Sequence, residues 1–486
     1  MTRRGGQGVA AALVAAALGL AGCAENPATG HETLNLLSPA EEQQIGREQH
    51  PQVVEAFGGA YQDSALQAYV EKVGRTLVAQ SELAGQSFTF TVLDSDIVNA
   101  MALPGGYVYV TRGLLALAND EAELAGVMAH EIGHVTAQHT AQRVTQSTLA
   151  NIGLTVLGAV VGNPGLANAA GVGAQALLQK YSRDQEFEAD TLGIRYMARA
   201  GYDPAASATF LDSLGRQAAL EAQLAGRSAD GAAKFNMMAT HPRTTERVQR
   251  ATEAAAVMAG GHGRLDRDAY LRQVDGMLYG DDPAEGVVRG HTFLHPRMQF
   301  SFTVPDGFRL VNGRDKVTAM HPRGATILFD GGRYPGGDIL AYLRTGARNL
   351  QLAETESLTI DGMPAATGAT RVNTDQGVVD LRLVVIRFDE RTAYRFMFLT
   401  PQDQTAGWGD ALRRVTYSFR RLPPDEAARV RPYRIDLIQV RPDDSIASLA
   451  AALPFDTLQE ERFTTLNGLR PGEPLQPGQM LKTVVE

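Results

Sequence analysis

Hydrophobic and polar positions follow two different rhythms along this chain. Up to about residue 260, most apolar runs recur every three or four positions, the spacing of helices with one buried stripe. From 291 to 421 they mostly alternate one by one, as in strands with one covered face. Ser38-Pro39-Ala40-Glu41-Glu42 reads as a helix start, with a serine cap, proline at the first position and acids in the first turn. Helices are expected over 65–79, 113–118, 120–143, 185–200, 205–225 and 242–258. Strands are expected over 88–93, 99–103 and 107–111, the last two joined around Pro104-Gly105-Gly106. In the second part, strands are expected over 300–304, 325–329, 378–388 and 392–399, with helices near 338–352 and 403–416. Gly260-Gly261-His262-Gly263 and Gly280-Asp281-Asp282-Pro283 mark one break, and Arg420-Arg421-Leu422-Pro423-Pro424 another. The expected architecture is an α+β multidomain chain. A mainly helical domain with a small sheet covers 23–260, followed by a linker at 261–290. An α+β domain of unassigned role covers 291–421, and a small module covers 433–486.

Composition narrows the classes. The chain has 486 residues, 44% hydrophobic and 20% charged, which supplies packed cores rather than disorder. A net charge of −9 leaves no basic excess to neutralise phosphates, which argues against a nucleic-acid partner. Cys23 is the single cysteine, so internal disulfides and cysteine-rich metal sites are excluded.

The first 22 residues read as a secretory signal. Arg3 and Arg4 precede an apolar run from Val9 to Gly22, too short to span a bilayer well. It ends Leu20-Ala21-Gly22-Cys23, which resembles the lipobox of bacterial lipoproteins. That resemblance implies cleavage before Cys23, its lipidation, and membrane anchoring by several acyl chains. Ala24 rather than Asp follows, and in the lipoprotein sorting pattern this implies the inner face of the outer membrane, hence a periplasmic protein.

Chemistry concentrates in His130-Glu131-Ile132-Gly133-His134. On a helix, residues four apart share a face, so both imidazoles can reach one zinc ion at about 2.0–2.1 Å. Glu131, beside the first of them, can address a zinc-bound water as general base. A hydrolytic zinc site needs a third protein ligand. The metzincin pattern would place Gly at position 137 and His at 140, where Ala137 and Thr140 stand. His139, five residues after His134, points to another face and reads as a solvated or capping histidine. Candidates for the third ligand lie in Tyr181-Ser182-Arg183-Asp184-Gln185-Glu186-Phe187-Glu188-Ala189-Asp190, where Glu186 and Asp190 share a helical face and Glu188 faces away from both. The segment 144–179 carries no charged residue and reads as a helical hairpin, with a mobile lid or membrane-contacting flap as the alternative.

HEIGH followed about fifty residues later by Glu186-Phe187-Glu188-Ala189-Asp190 resembles the gluzincin peptidases related to the CAAX prenyl endopeptidase and HtpX. The likeness is greatest to their periplasmic BepA/YfgC-type lipoprotein branch. Asn99-Ala100-Met101-Ala102-Leu103-Pro104-Gly105-Gly106 and His241-Pro242 add to it, and the resemblance covers roughly 30–255. It implies that His130, His134 and Glu186 bind one zinc ion and that Glu131 is the base. Asp190 would hold a ligand histidine by its second ring nitrogen. Arg183 and His241 are candidates for an extra oxyanion donor. His241 is also a candidate switch that occupies the open zinc position at rest. The Asn99–Thr111 strand pair is expected to border the cleft and to receive substrate as an added strand.

Val440 to Gln479 resembles a LysM module, with Asp443 where Gly is usual and a longer middle, which leaves peptidoglycan binding and a purely structural cap both open. The sequence as a whole points to a zinc metalloendopeptidase acting on protein or peptide substrates of the periplasm or envelope, in protein quality control. The alternatives are a chaperone-like protein and a peptidoglycan-binding envelope adaptor with limited proteolysis.

Overall fold

One buried helix organises the first part of the chain in the computed structural model. The model describes residues 23–25, 28, 30, 32–35, 37–145, 180–224, 237, 241, 245–258, 263–313, 315–374, 377–470 and 472–486. A short antiparallel pair, β1 (Cys23–Glu25) and β2 (Glu32–Leu34), leads in. Helix α1 (Pro39–Ala56) starts at the expected cap. The Glu41 backbone N–H donates to the Ser38 hydroxyl, and the Ser38 N–H donates back to the Glu41 carboxylate. Along α2 (Ser64–Val78), Leu66, Val70, Val73 and Leu77 form one buried stripe.

Strands β3 (Thr89–Leu93), β4 (Ala100–Leu103) and β5 (Tyr107–Thr111) form a sheet in the order β3-β5-β4. β3 runs parallel to β5, and β4 is the antiparallel edge. The tight connection between β4 and β5 places Gly105 and Gly106 at φ +81° and +83°, where a side chain would be strained. After α3 (Arg112–Leu117) comes α4 (Glu121–Thr136), which carries the HEIGH motif and is buried along nearly its whole length. Its N-cap Asp120 accepts from the Glu123 N–H.

Sequence periodicity predicts α4 as one helix to 143, but it stops at Thr136. Ala137 and Gln138 form a turn, Gln138 takes a left-handed φ of +56°, and helical residues resume at His139. Helices α5 (Arg183–Arg199) and α6 (Ala206–Leu224) pack against α4, and α7 (Thr245–Met258) packs against α5 and α6. The α4–α5 crossing is close because both faces carry glycine. A methyl group on Gly133 would stand 3.0 Å from the Ala189 carbonyl oxygen, and one on Gly193 would stand 3.0 Å from the His130 nitrogen. The close crossing is why glycine stands inside the helix at 133, where it costs up to about 1 kcal/mol relative to alanine.

The stretch read as a linker is part of this core instead. It contains α8 (Arg267–Val274), with Tyr270, Leu271 and Val274 fully buried, and strand β6 (Leu278–Tyr279). The flanking Gly- and Asp-rich turns conceal that short apolar stripe in the sequence.

The second part begins with β7 (Val287–Arg289), β8 (Thr292–His295) and β9 (Phe300–Thr303). Strands β10 (Arg309–Asn312), β11 (Val317–Met320) and β12 (Thr326–Arg333) follow, then α9 (Ile339–Gly346). Next come β13 (Ala353–Ile360), β14 (Met363–Thr374), β15 (Gly377–Arg387), β16 (Thr392–Pro401), α10 (Thr405–Ser418), β17 (Arg420–Arg421) and α11 (Pro424–Ala427). Seven of these strands form an antiparallel sheet in the order β10-β11-β12-β16-β15-β14-β13. β15 shows why both faces are covered. Leu381, Leu383 and Val385 pack with Ile339 and Leu343 of α9, while Val384 and Ile386 join an aromatic core with Phe300, Phe329, Phe396 and Trp408.

The last module runs β18 (Tyr433–Gln439), α12 (Ile446–Ala450), α13 (Gln459–Leu466) and β19 (Met480–Val485). Its sheet order, β19-β18-β6, incorporates the strand from the expected linker. Its Ile435, Phe463, Leu466, Leu481 and Val484 belong to the same hydrophobic cluster as α2, α4 and α8. Lys482, fully buried, donates its ammonium to the carbonyls of Ala116 (2.6 Å) and Ala118 (2.7 Å), satisfying the C-terminal end of α3.

Among the described residues no helix is long and apolar enough to cross a membrane. The signal segment 1–22 and, from residue 146 to 179, the uncharged segment lie outside the described residues.

Candidate metal centre

Four buried ligand atoms converge at the C-terminal half of α4. The Nε2 atoms of His130 and His134 stand 3.0 Å apart, and Nδ1 of His241 lies 3.2 Å from His130 Nε2. The Glu186 carboxylate, from α5, completes the group. Its Oε1 is 2.9 Å from His241 Nδ1 and 3.6 Å from His134 Nε2, and its Oε2 is 3.6 Å from His130 Nε2. All four ligand atoms lie within 4.8 Å of one another. Tetrahedral zinc with bonds of 2.0–2.1 Å has ligand–ligand edges of about 3.3 Å, and the separations here bracket that value. The donor set of imidazoles and one carboxylate also matches catalytic zinc sites.

Helix phase and close packing bring these groups together. The four-residue spacing puts His130 and His134 on one face of α4, and the glycine-mediated crossing brings Glu186 within reach from the first turn of α5. Ser182 caps that turn by accepting from the Gln185 N–H. Asp190, one turn further, places Oδ1 2.9 Å from His130 Nδ1, the partner position the resemblance implies.

The electrostatics suit a cation. Burial opposes ionisation of Glu186, but the facing imidazoles of His241, His134 and His130 hold its carboxyl far below the usual range. Burial likewise works against the Asp190 carboxylate, and Arg247 and His130 outweigh it. Burial pushes His134 well down, keeping it neutral and able to present a lone pair. At His241 burial again disfavours the charged ring, yet Glu186 and Glu131 together raise it. Glu131 itself is fully buried, and neither carboxylate oxygen has a hydrogen-bond partner among the described residues. A buried carboxylate left without a donor is costly unless a ligand, ion or substrate completes it.

Of the residues singled out from sequence, His130, Glu131, His134, Glu186, Asp190 and His241 are gathered here, and Arg183 is not. Arg183 is exposed at the start of α5, and the cation at the centre is Arg247 of α7. His139 departs from expectation. Far from being solvated, it is fully buried, with Nδ1 2.8 Å from His134 Nδ1 and Nε2 3.1 Å from Glu188 Oε2. The turn at Ala137–Gln138, which the helical wheel does not foresee, folds it back under His134. Tyr181 was also missed. Its ring stacks on His134 with 3.7 Å between ring centres, and the Arg143 guanidinium lies over the Tyr181 ring, 3.8 Å from its centre.

β4 is one of the two edge strands of its sheet among the described residues, and it packs against α4. Met237 and His241 are linked to the residues just before it. The Met237 N–H donates to the Val98 carbonyl, and the His241 N–H donates to the Met237 carbonyl.

A buried helix bearing two histidines and an adjacent glutamate, joined by a carboxylate from a second helix, is the donor arrangement of a gluzincin-type metallopeptidase site. Residues 64–255 match Peptidase family M48. It is 29% identical over 255 residues to the beta-barrel assembly-enhancing protease of Escherichia coli K12, covering 50% of each chain. Over 165 residues it is 36% identical to the protein of that name from Yersinia pestis, covering 32% of this chain and 34% of the relative. The mitochondrial metalloendopeptidase OMA1 of Arabidopsis thaliana is 37% identical over 154 residues, 32% of this chain and 31% of OMA1. The chain spans about half, or less, of the length of these relatives.

Proposed function

We propose that the protein is a zinc-dependent metalloendopeptidase that cleaves periplasmic or envelope proteins. The observation that carries this reading is the convergence of His130, His134 and Glu186 beside the orphaned carboxylate of Glu131. A zinc ion bound there would acidify water to a pKa near 7 and polarise the scissile carbonyl. Glu131 accepts a proton from the attacking water and returns it to the amide nitrogen as the amine leaves. The free edge of β4 holds the substrate main chain extended. The relatives named beta-barrel assembly-enhancing proteases support outer-membrane assembly clients. The lipobox-like sequence at Cys23 supports anchoring at the outer membrane, and within the envelope the acidic chain has no use for nucleic acid. The direct test is metal removal. Purified protein should hold one zinc per chain, digest unfolded casein, lose that activity to a chelator and regain it with zinc. Metal-free, inert protein that zinc fails to activate counts against the reading.

His241 acts as a resting-state plug. Its Nδ1 occupies a ligand position and its Nε2 sits 3.5 Å from Glu131 Oε1, so substrate and water reach the centre only when it moves. His241→Ala should raise casein turnover several-fold. Unchanged or lower turnover in a folded, zinc-loaded variant counts against the plug. The merger of the C-terminal module with the peptidase core supports the structural cap over glycan binding as its main role.

A further inference from the structure

We infer that His139 and Glu188 form a positioning relay that orients His134 and sets its strength as a zinc ligand, an inference that rests on the metallopeptidase reading. Histidines that bind metals usually donate their other ring N–H to a fixed acceptor, which locks tautomer and ring orientation and raises ligand basicity. His130 has such a partner in Asp190. His134 has no carboxylate at the equivalent place. Its Nδ1 meets His139 Nδ1 at 2.8 Å, and His139 Nε2 continues to Glu188 Oε2 at 3.1 Å.

One proton assignment satisfies this chain. With His134 Nε2 presenting its lone pair to the centre, the ring proton sits on Nδ1 and is donated to His139 Nδ1. The His139 proton then sits on Nε2 and is donated to the Glu188 carboxylate. Both rings remain neutral, both tautomers are fixed, and the negative end of the chain lies on the far side of His139.

The fold builds this arrangement at a cost. Gln138 adopts a left-handed conformation, one that non-glycine residues seldom take, and this reversal brings His139 under His134. The Asn35 amide donates to the Gln138 side-chain oxygen and also to Glu42, tying the turn to α1. Glu188 faces away from Glu186 and Asp190 on α5, yet it reaches the centre through His139. α5 therefore contributes three acids to the site by two routes: Glu186 and Asp190 on one face, and Glu188 on another.

The test is zinc affinity, measured by competition with a chromophoric chelator, together with the visible spectrum of the cobalt-substituted protein. Glu188→Ala, whose side chain is 30% exposed, should fold normally by circular dichroism and lose about tenfold in zinc affinity. His139→Ala should lose up to about 100-fold and shift the cobalt bands. His139→Asn, whose amide oxygen falls near the Nδ1 position and can accept from His134, should recover most of the loss. A purely structural role would not show that rescue. Zinc affinity within twofold of wild type in folded Glu188→Ala, or no recovery in folded His139→Asn, would overturn the relay. A wild-type chain that binds no zinc overturns the metallopeptidase reading instead.

Discussion

Glu131→Gln should lower casein hydrolysis by about 10²- to 10⁴-fold while leaving the zinc content at one per chain. The substitution preserves shape, and neither oxygen of Glu131 holds another residue in place by a hydrogen bond. His130, His134 and Glu186 keep their mutual distances, so metal binding should survive. What disappears is a group able to accept a proton, which an amide cannot do. Zinc analysis and turnover, measured on the same preparation, separate loss of the base from loss of the metal. A variant retaining more than a tenth of wild-type turnover would remove Glu131 from the base role. The same variant addresses the chaperone-like alternative: if it still suppresses aggregation of an unfolded envelope protein, holding clients does not depend on cutting them. Deleting 433–486 is a poor test of the adaptor alternative, because β18, β19 and Lys482 belong to the core and would take it down with them.

The parts of this site legible in sequence are those set by local geometry. Four-residue spacing placed His130 and His134 on one face, and the same rule paired Glu186 with Asp190. The alternation around Pro104-Gly105-Gly106 identified the edge hairpin. Two things obscured the rest. A turn that depends on a left-handed glutamine has no compositional signal, so continuing the helical wheel from His134 sent His139 to the wrong surface. Partners on distant segments also carry no spacing that ties them to the motif. Arg247 did leave a trace, however. It shares the buried face of α7 with Ala251 and Ala255, at intervals of four, and an arginine on such a face calls for a carboxylate to meet it.

The linker expectation failed for a related reason. Eight residues of α8 and two of β6 are too short to show a period, and their burial is decided by a C-terminal strand more than 150 residues away. The strands of the second domain were legible because each is long enough to alternate. Their assembly into one sheet of seven was not, since register and neighbour order depend on pairings that no single strand encodes.

Arg247 carries the second large effect. Its guanidinium places Nη1 2.6 Å from Glu186 Oε2, while Nε and Nη2 each stand 2.8 Å from an Asp190 oxygen. One fork therefore compensates two buried carboxylates and fixes how each faces its histidine. Arg247→Ala leaves both acids without their cation and enlarges the small cavity that Asp190 lines together with Val127, Phe210 and Leu211. Removing one partner of a buried ion pair costs about 3–5 kcal/mol. For a domain of this size that corresponds to a fall in Tm of roughly 6–20 °C, read on chelator-stripped protein. Added zinc should narrow the gap, since the dication takes over part of the compensation of Glu186. Arg247→Lys keeps the charge but cannot bridge both acids, so it should fall between wild type and Arg247→Ala. A stripped Arg247→Ala protein that melts within about 2 °C of wild type would show that the two carboxylates are not held ionised by this arginine. The charge balance of the centre would then have to come from the imidazoles alone.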